Sequence, residues 1–189
     1  MPPKTKITRE MVLNAAFAIV RELGIENVNA RTVAERLGCS TQPVMYLFAT
    51  IDALKRAVYE KADMYHSEYL MHIEDPREIL LGIGLNYIRF AIEEPNLFRF
   101  LFQSGYATEN SLLEMVDSEE LVPVLSAMQQ AAEMDMEQTK KLFVSIAVFA
   151  HGYASIIANN SLEYNEALIT EHLDRAYRGA VLALQEENK

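Results

Sequence analysis

Residues 29–54 have the sequence NARTVAERLGCSTQPVMYLFATIDAL, which predicts two short helices joined by a tight turn. Asn29 can cap the first helix, and Gly38 lies where a left-handed residue commonly ends one. Ser40 is a natural cap for the second helix, and Pro43 is tolerated within its first turn. The core beneath both helices is expected to contain Val33, Ala34, Leu37, Cys39, Val44 and Leu47. This pattern predicts a helix-turn-helix.

The polar residues of this stretch cluster at the helix starts and on the outward face of the second helix. From such places side chains and helix N-termini reach the phosphates and base edges of DNA. An ordinary helical hairpin would also explain the apolar spacing. DNA binding is favoured because Ala34 lies four residues before Gly38, and buried positions are expected one and six residues after that glycine. The outward polar residues are Arg31, Thr32, Ser40, Thr41, Gln42 and Tyr46.

The charge of the chain is divided unevenly along its length. The net charge is −10, which by itself would repel DNA. Residues 1–61 nevertheless contain nine Lys and Arg against six Asp and Glu, whereas residues 62–189 contain eight against twenty-one. The basic excess coincides with the helix-turn-helix, as attraction to phosphates requires. The acidic remainder is expected to face away from DNA.

The composition indicates a helical protein of a reducing compartment. Half of the 189 residues are apolar, which permits a substantial core, and no uninterrupted apolar run reaches the length of a membrane span. Seven glycines and six prolines leave few positions for β-turns. One cysteine excludes an internal disulfide and fits the cytoplasm. The first residues show no cleavable signal pattern, so we expect a cytoplasmic protein that does not bind membranes.

Apolar periodicity predicts further helices on either side of the helix-turn-helix. One begins at Thr8 and ends at Gly24, and another begins after Ser118. Asp75-Pro76 marks a break and a helix start, and residues 105–117 are expected to form an irregular connection. The other predicted helices cover residues 52–72, 77–94, 96–102, 136–159 and 166–185. Together with the helix-turn-helix, they make an all-α fold of about nine helices.

The two C-terminal predicted helices are apolar more than halfway round. A single apolar stripe would suffice to pack each helix against its own domain. The surplus predicts a second buried contact, most simply the same two helices of another subunit in a four-helix bundle. A fully buried central helix would explain residues 136–159 nearly as well, but not the last helix. We expect Ala154 and Ala180 to be the close-approach positions of a homodimer interface.

Enzymatic and metal-binding functions find little support in the sequence. Ser104 has no Gly-x-Ser-x-Gly setting, and no phosphate loop or dinucleotide-binding motif occurs. His66 and His72 are six residues apart, so they would not share a helical face as two metal ligands do. Cys39 occupies a core position, where a redox role would need a lowered pKa. We therefore expect no catalysis, no metal and no cofactor.

Residues Thr8–Leu54 resemble the N-terminal domain of the TetR/AcrR family of transcriptional regulators. The resemblance rests on a leading apolar helix and on three segments, Gly24–Val28, Thr32–Gly38 and Cys39–Val44, completed by Phe48 to Leu54. It covers about a quarter of the chain. It implies a DNA-binding domain over residues 1–51 and a helical ligand-binding and dimerisation domain over residues 52–189.

The resemblance also implies DNA contacts for individual residues. Thr41 and Gln42 are expected to reach base edges, since a glutamine can bond adenine bidentately. The family commonly has Tyr at the position of Met45 and Lys near residues 49–51, which are Ala49-Thr50-Ile51 in this chain. Tyr46 and Thr50 would then have to replace these phosphate contacts. The residues expected to bind phosphates are Arg31, Thr32, Ser40, Tyr46 and Thr50.

An aromatic-rich segment in the middle of the chain is a candidate for a ligand pocket. Such pockets are mostly apolar with a few polar anchors, although aromatic and Met stripes more often form a core. The family resemblance implies an inducer cavity among the middle helices. Asn86, Arg89, Gln103 and His151 are candidate anchors. The expected ligand-binding residues are Tyr87, Phe90, Phe98, Phe102, Tyr106, Met128, Phe143 and His151.

The sequence therefore predicts a one-component transcriptional regulator, and more specifically a repressor. It would bind a palindromic double-stranded operator as a homodimer and release it when a small-molecule inducer binds. The alternative is a helical small-molecule binding protein without sequence-specific DNA binding. A helical enzyme is a weaker competitor, because no catalytic constellation supports it.

Overall fold

The computed structural model describes residues 6–73, 79–106, 116–160 and 163–187. Within these ranges it contains nine α-helices and no β-strand, which confirms the all-α fold. Two short 3-10 helices, Ile25–Asn27 and Glu119–Leu121, add to them. The α-helices are α1 (Arg9–Leu23), α2 (Ala30–Leu37), α3 (Thr41–Leu47), α4 (Ile51–Leu70), α5 (Ile79–Glu93), α6 (Pro95–Gln103), α7 (Val122–Ala132), α8 (Met136–Asn160) and α9 (Glu166–Glu187).

The predicted turn between α2 and α3 is confirmed, with the cap residues in the expected places. Oδ1 of Asn29 accepts a hydrogen bond from the N–H of Arg31 at 3.0 Å, at the start of α2. At its end Gly38 has φ +64° and ψ +34°, and the N–H of Cys39 donates to the carbonyl of Ala34 at 3.0 Å. Because an L side chain is strained at such a φ, glycine is the residue that this turn requires.

The first compact unit contains the described residues of Met1–Tyr65 and Glu94–Ala107. Within it α1 packs against α2, α3 and α6. Nε of Arg21 on α1 donates to Oε2 of the buried Glu94 at 2.7 Å, just before α6. The hydrogen bond raises the pKa of the Arg21 guanidinium. Fully buried apolar side chains of this unit include Val12, Val20, Val33, Val44, Leu54, Leu97 and Phe98.

The second compact unit contains the described residues of His66–Glu93 and Thr108–Lys189. Here α8 packs against α5, α7 and α9, and α5 also contacts α7 and α9. A Cβ on Gly84 would lie 3.2 Å from Cδ2 of Leu173, so this glycine permits the close approach of α5 and α9. A core cluster in this unit contains Ile83, Val124, Met128, Leu142 and Leu184.

The two compact units do not coincide with a single boundary after residue 51. The chain up to Tyr65 belongs to the first unit, so α4 contributes to both. The segment containing α6 returns to the first unit, because Pro95 starts a new helix whose apolar face packs with α1. Farther along, Pro123 falls within the first turn of α7 and Glu119–Leu121 form a 3-10 turn before it. The expected break at Asp75-Pro76 lies outside the described residues.

Among the described residues, α8 is the one helix long and apolar enough to cross a membrane, with a mean hydropathy of 1.6. Length and composition alone give this result, and a core helix of a water-soluble protein can satisfy the same criteria. One side of α8 does form core, since Leu142, Ala150 and Ala154 are buried within the second unit. The other side has apolar residues that this unit leaves uncovered.

Candidate nucleic-acid interface and polar cluster

The exposed face of α3 presents four side chains to solvent. Val44 is fully buried, and Phe48 just after α3 is nearly so. The opposite face of the helix therefore packs against the rest of the first unit. Tyr46 is 88% exposed, the largest exposure of any bulky apolar or aromatic side chain among the described residues. The exposed side chains are Thr41, Gln42, Met45 and Tyr46. Both residues predicted to contact bases therefore lie on this face.

Three other predicted DNA contacts lie at helix starts. Ser40 precedes α3, and its hydroxyl makes no capping hydrogen bond. Oγ1 of Thr50 accepts a hydrogen bond from the N–H of Ala53 at 3.0 Å, which caps α4. Nε of Arg31 lies 2.9 Å from Oε1 of Glu35, and both side chains are well exposed. An exposed pair of this kind contributes little stability, so the guanidinium can exchange it for a phosphate.

Thr32 has a structural role that the sequence analysis missed. Its Oγ1 donates to the carbonyl of Asn27 at 2.7 Å and accepts from the N–H of Asn29 at 3.2 Å. Its own N–H donates to Oδ1 of Asn29 at 3.1 Å. These bonds form a capping box at the start of α2, which satisfies otherwise unpaired backbone groups. The hydroxyl proton expected to contact a phosphate is therefore already used within the protein.

A second residue that sequence reasoning missed is Arg9. Its guanidinium carbon lies 4.4 Å from the centre of the Phe48 ring, in the geometry of a cation–π contact. Phe48 closes the core beneath α3, so Arg9 places a positive charge beside the helix-turn-helix. No local pattern predicts this contact, because the two residues are far apart in sequence.

The eight predicted ligand-binding residues separate into three groups. Phe98, Phe102 and Tyr106 belong to the first compact unit, where Phe98 and Phe102 have ring centres 5.2 Å apart. Met128 is a member of the core cluster of the second unit, and Phe143 packs against that cluster. The remaining group, also in the second unit, consists of Tyr87, Phe90 and His151. A continuous aromatic segment of sequence is thus divided between two units.

Tyr87 and His151 of this last group form a hydrogen-bonded chain with Ser155. The hydroxyl of Tyr87 on α5 lies 2.9 Å from Nδ1 of His151 on α8, and Nε2 of His151 lies 3.2 Å from Oγ of Ser155. Burial raises the pKa of the Tyr87 phenol and lowers the pKa of the His151 imidazole. Tyr87 and His151 are therefore both neutral. We assign the phenol as the donor to Nδ1, because an imidazole nitrogen is a stronger acceptor than a phenol oxygen, and the proton of His151 is then on Nε2.

His66 on α4 packs against the aromatic rings of this group. Its ring centre lies 4.8 Å from that of Phe90 and 5.5 Å from that of Tyr87, both edge to face. Burial lowers the pKa of His66 to about 3, so the imidazole is neutral at physiological pH. The sequence predicted a core or solvated histidine at this position, and the structure places His66 in the core. We name His66, Tyr87, Phe90, His151 and Ser155 the His–Tyr cluster.

Two of the candidate polar anchors have structural partners. Nδ2 of Asn86 donates to the carbonyls of Leu70 at 3.2 Å and His72 at 2.9 Å, which satisfies the end of α4. Arg89 forms an ion pair with Glu166 on α9, with Nη2 and Oε2 3.0 Å apart. The hydrogen bond that Arg89 donates to Glu166 raises the pKa of the Arg89 guanidinium. Among the anchors suggested by sequence, His151 alone belongs to the His–Tyr cluster.

The exposed side of α8 corrects one detail of the predicted dimer interface. Ala154 is 0% exposed, so it cannot meet a second subunit, whereas Ala180 packs against the core cluster and stays partly exposed. Residues two apart on a helix point to nearly opposite faces, and it is Gly152 that faces outward. Val148 and Ile156 on the same face are 54% and 52% exposed. We name Ser145, Val148, Gly152 and Ile156 the outer stripe of α8.

Within the described ranges, no group of three or more His, Cys, Asp or Glu side chains is arranged to hold a metal ion. Cys39 is partly buried in the turn between α2 and α3.

Comparison with known proteins identifies the fold. The sequence matches no protein-family model and no curated protein sequence. Solved structures similar to this chain include a TetR family protein from Vibrio parahaemolyticus, with a TM-score of 0.65 at 15% identity over 90% of this chain and 96% of that one. A TetR family regulator from Marinobacter aquaeolei VT8 gives 0.60 at 18% identity over 93% and 94%. NalD, the secondary repressor of the MexAB-OprM multidrug efflux pump in Pseudomonas aeruginosa, gives 0.55 at 15% over 90% and 94%. The chain therefore has the TetR-like fold, as the resemblance implied.

Proposed function

We propose that this protein is a one-component transcriptional repressor that binds a palindromic operator as a homodimer and releases it when a small molecule binds. The observation that carries the proposal is the exposed face of α3 with its polar residues. This helix follows α2, which is capped at its start by Asn29 and ends at Gly38. A helix held in this way can enter the major groove with Thr41 and Gln42 near base edges. The fold shared with TetR family regulators, one of them a named repressor, supports the same function.

The distribution of charge supports DNA as the partner. The basic excess of residues 1–61 covers the helix-turn-helix, and Arg31 is exposed beside it. Phosphate attraction supplies most of the sequence-independent affinity for DNA and weakens as salt rises. The acidic excess of residues 62–189 disfavours binding of that part to the same duplex. A DNA partner and a single free cysteine both suit the cytoplasm.

The outer stripe of α8 supports homodimerisation. It offers exposed valine and isoleucine side chains around a glycine, and no charged residue interrupts it. Leu168 and Leu182 on α9 are also exposed large apolar residues. Covering these side chains with the same two helices of a second copy would bury them and form a four-helix bundle. A two-fold dimer would present two α3 helices to half-sites about 34–36 Å apart.

The His–Tyr cluster is the proposed ligand site. It combines buried aromatic surface with the imidazole of His151 and the hydroxyls of Tyr87 and Ser155, which suits an apolar ligand with one or two polar groups. His151 and Tyr87 each keep part of their surface exposed in the second unit, which would give a ligand access to them. α4 carries His66 at one end and belongs to the first unit at the other, which supports coupling of this site to the DNA-binding surface.

The experiment is selection of DNA fragments by the purified protein, from genomic or random sequence, at physiological salt. We expect enrichment of a palindrome that competes at least a hundredfold better than unrelated duplex. Loss of this preference in a variant with Thr41 and Gln42 both changed to Ala, with the helical content intact, would tie selection to α3. Binding without any enriched sequence would support the alternative, a helical small-molecule binding protein.

Control of DNA release by an inducer is tested by calorimetry, once a ligand has been found by screening. Coupling energies between two sites are typically about 1–3 kcal/mol, which corresponds to about 5–150-fold in affinity. Linkage requires operator DNA to weaken ligand binding by the same factor as ligand weakens operator binding. Equal ligand affinities with and without operator would show that ligand binding does not control DNA release.

A further inference from the structure

Met45 lies in the middle of the exposed face of α3. It follows Thr41 by four residues and Gln42 by three, so the three side chains share one face of the helix. On a helical wheel Met45 falls between the other two. Its side chain is 41% exposed, whereas the nearby Val44 is fully buried in the first unit.

Core packing does not account for an apolar residue at this position. Val44 and Phe48 already fill the inner side of α3, whereas Met45 keeps 41% of its surface exposed to solvent. Isolated exposed methionines occur elsewhere, for example Met64 on α4 at 66% exposure. Met45 differs because its neighbours on the same face are the two residues that we propose to contact bases.

We infer that Met45 contacts the 5-methyl group of a thymine in each operator half-site, an inference that rests on the proposed DNA-binding function. In the major groove thymine is the base that presents a methyl group, while the other base edges present donors and acceptors. The flexible thioether chain of methionine can adapt to such a surface. Burying one methyl group corresponds to about a fourfold gain in affinity for each half-site.

The test replaces thymine by deoxyuridine, which removes the 5-methyl group and leaves the base pairing unchanged. Each thymine of the selected operator is replaced in turn, symmetrically in both half-sites, and the affinity of the wild-type protein is measured at constant salt. We expect one position at which deoxyuridine lowers affinity by about fourfold per half-site. In Met45→Ala the thymine and deoxyuridine operators should bind equally at that position.

Two variants serve as controls. Met45→Leu keeps an apolar side chain and should retain part of the preference for thymine. Met64→Ala removes an exposed methionine that lies outside α3, and it should retain the wild-type preference in full. Because the primary readout compares two DNAs with the same protein, a small change in the stability of a variant does not alter the ratio.

The outcomes separate the inference from the proposed function. A preference for thymine that disappears in Met45→Ala and persists in Met64→Ala would support the inference. Selective operator binding in which no thymine methyl depends on Met45 would overturn it and leave the proposed function standing. Absence of any selective binding by the wild-type protein would overturn both.

Discussion

The hydroxyl of Tyr87 on α5 lies 2.9 Å from Nδ1 of His151 on α8 and joins two helices of the second compact unit. Because burial raises the pKa of Tyr87 and lowers the pKa of His151, both groups are neutral. The phenol is assigned as the donor, because an imidazole nitrogen is the stronger acceptor of the two. The bond therefore sets the tautomer of His151, and with it the proton on the nitrogen near Ser155. Both residues were predicted ligand contacts, and they are the polar pair that the fold brings together.

Replacing Tyr87 by Phe is expected to remove the hydrogen bond that sets the tautomer of His151. The variant should lose about 1 kcal/mol of unfolding free energy, the usual net value of one hydrogen bond. Nitrogen NMR of the imidazole should show His151 as the Nε2–H tautomer in the wild-type protein and as a mixture in Tyr87→Phe. Tyr177→Phe, at a half-buried tyrosine on α9, is the control and should leave the His151 signals unchanged. Identical spectra for wild type and Tyr87→Phe would contradict the assigned donor.

The capping box predicts different outcomes for two threonines of the helix-turn-helix. Thr32→Val removes the hydroxyl that bonds Asn27 and Asn29, so unfolding free energy should fall by about 1 kcal/mol. Thr41→Val makes the same change of side chain at an exposed position and should change the unfolding free energy by less than about 0.5 kcal/mol. Denaturant unfolding measures both. Equal losses in the two variants would assign no special role to the Thr32 hydroxyl.

Buried His66 predicts a dependence of stability on pH. Its pKa is about 3 in the folded protein because of burial, whereas an unfolded histidine titrates near 6.5. Between these values the unfolded state binds the extra proton, so this contribution to unfolding free energy is full above about pH 6.5. It is lost as pH falls toward 3, by up to about 1.4 kcal/mol per pH unit.

Denaturant titrations from pH 7.5 to 5 measure this contribution as a difference between variants. The unfolding free energy of His66→Leu should fall less steeply with acidification than that of the wild type. His72→Gln, at an exposed histidine, should follow the wild-type curve. A His66→Leu curve parallel to the wild type would show that His66 is not the titrating group.

The outer stripe of α8 predicts a dimer that one charge can disrupt. Ile156→Glu would place a carboxylate in the proposed subunit contact, where its desolvation is costly. We expect sedimentation to show dimers for the wild type and monomers for the variant, together with much weaker operator binding. Gln130→Glu adds the same charge at an exposed position of α7 and should remain dimeric. A wild-type monomer at micromolar concentration would remove this interface from the proposal.

The exposed amide of Gln42 predicts a defined loss of operator specificity. If it bonds an adenine, Gln42→Ala should cost about 1–3 kcal/mol on the preferred operator and relax the preference at one base pair. Arg31→Ala is the contrasting variant, because loss of a phosphate contact should weaken all sequences alike and reduce the salt slope by about one. Competition among operator variants measures both effects. An unchanged base preference in Gln42→Ala would exclude it as a base contact.

Local sequence determined the helices and the helix-turn-helix. Caps and turns act over a few residues, so Asn29 and Gly38 could be assigned from their neighbours alone. The buried positions Val33, Ala34 and Val44 followed from the helical period in the same way. The all-α fold followed too, because nearly every segment carried a helical apolar pattern.

Tertiary structure alone decided which residues meet. Thr32 lies at a helix start, where a hydroxyl can bind a phosphate or close a capping box, and only the distances to Asn27 and Asn29 choose between them. α8 is apolar on most sides, so periodicity could not tell that Ala154 faces inward and Gly152 outward. The aromatic segment was divided between two units because Pro95 begins a new helix that packs with α1. For α8 and the aromatic segment, packing partners distant in sequence make these choices, and no local pattern encodes them.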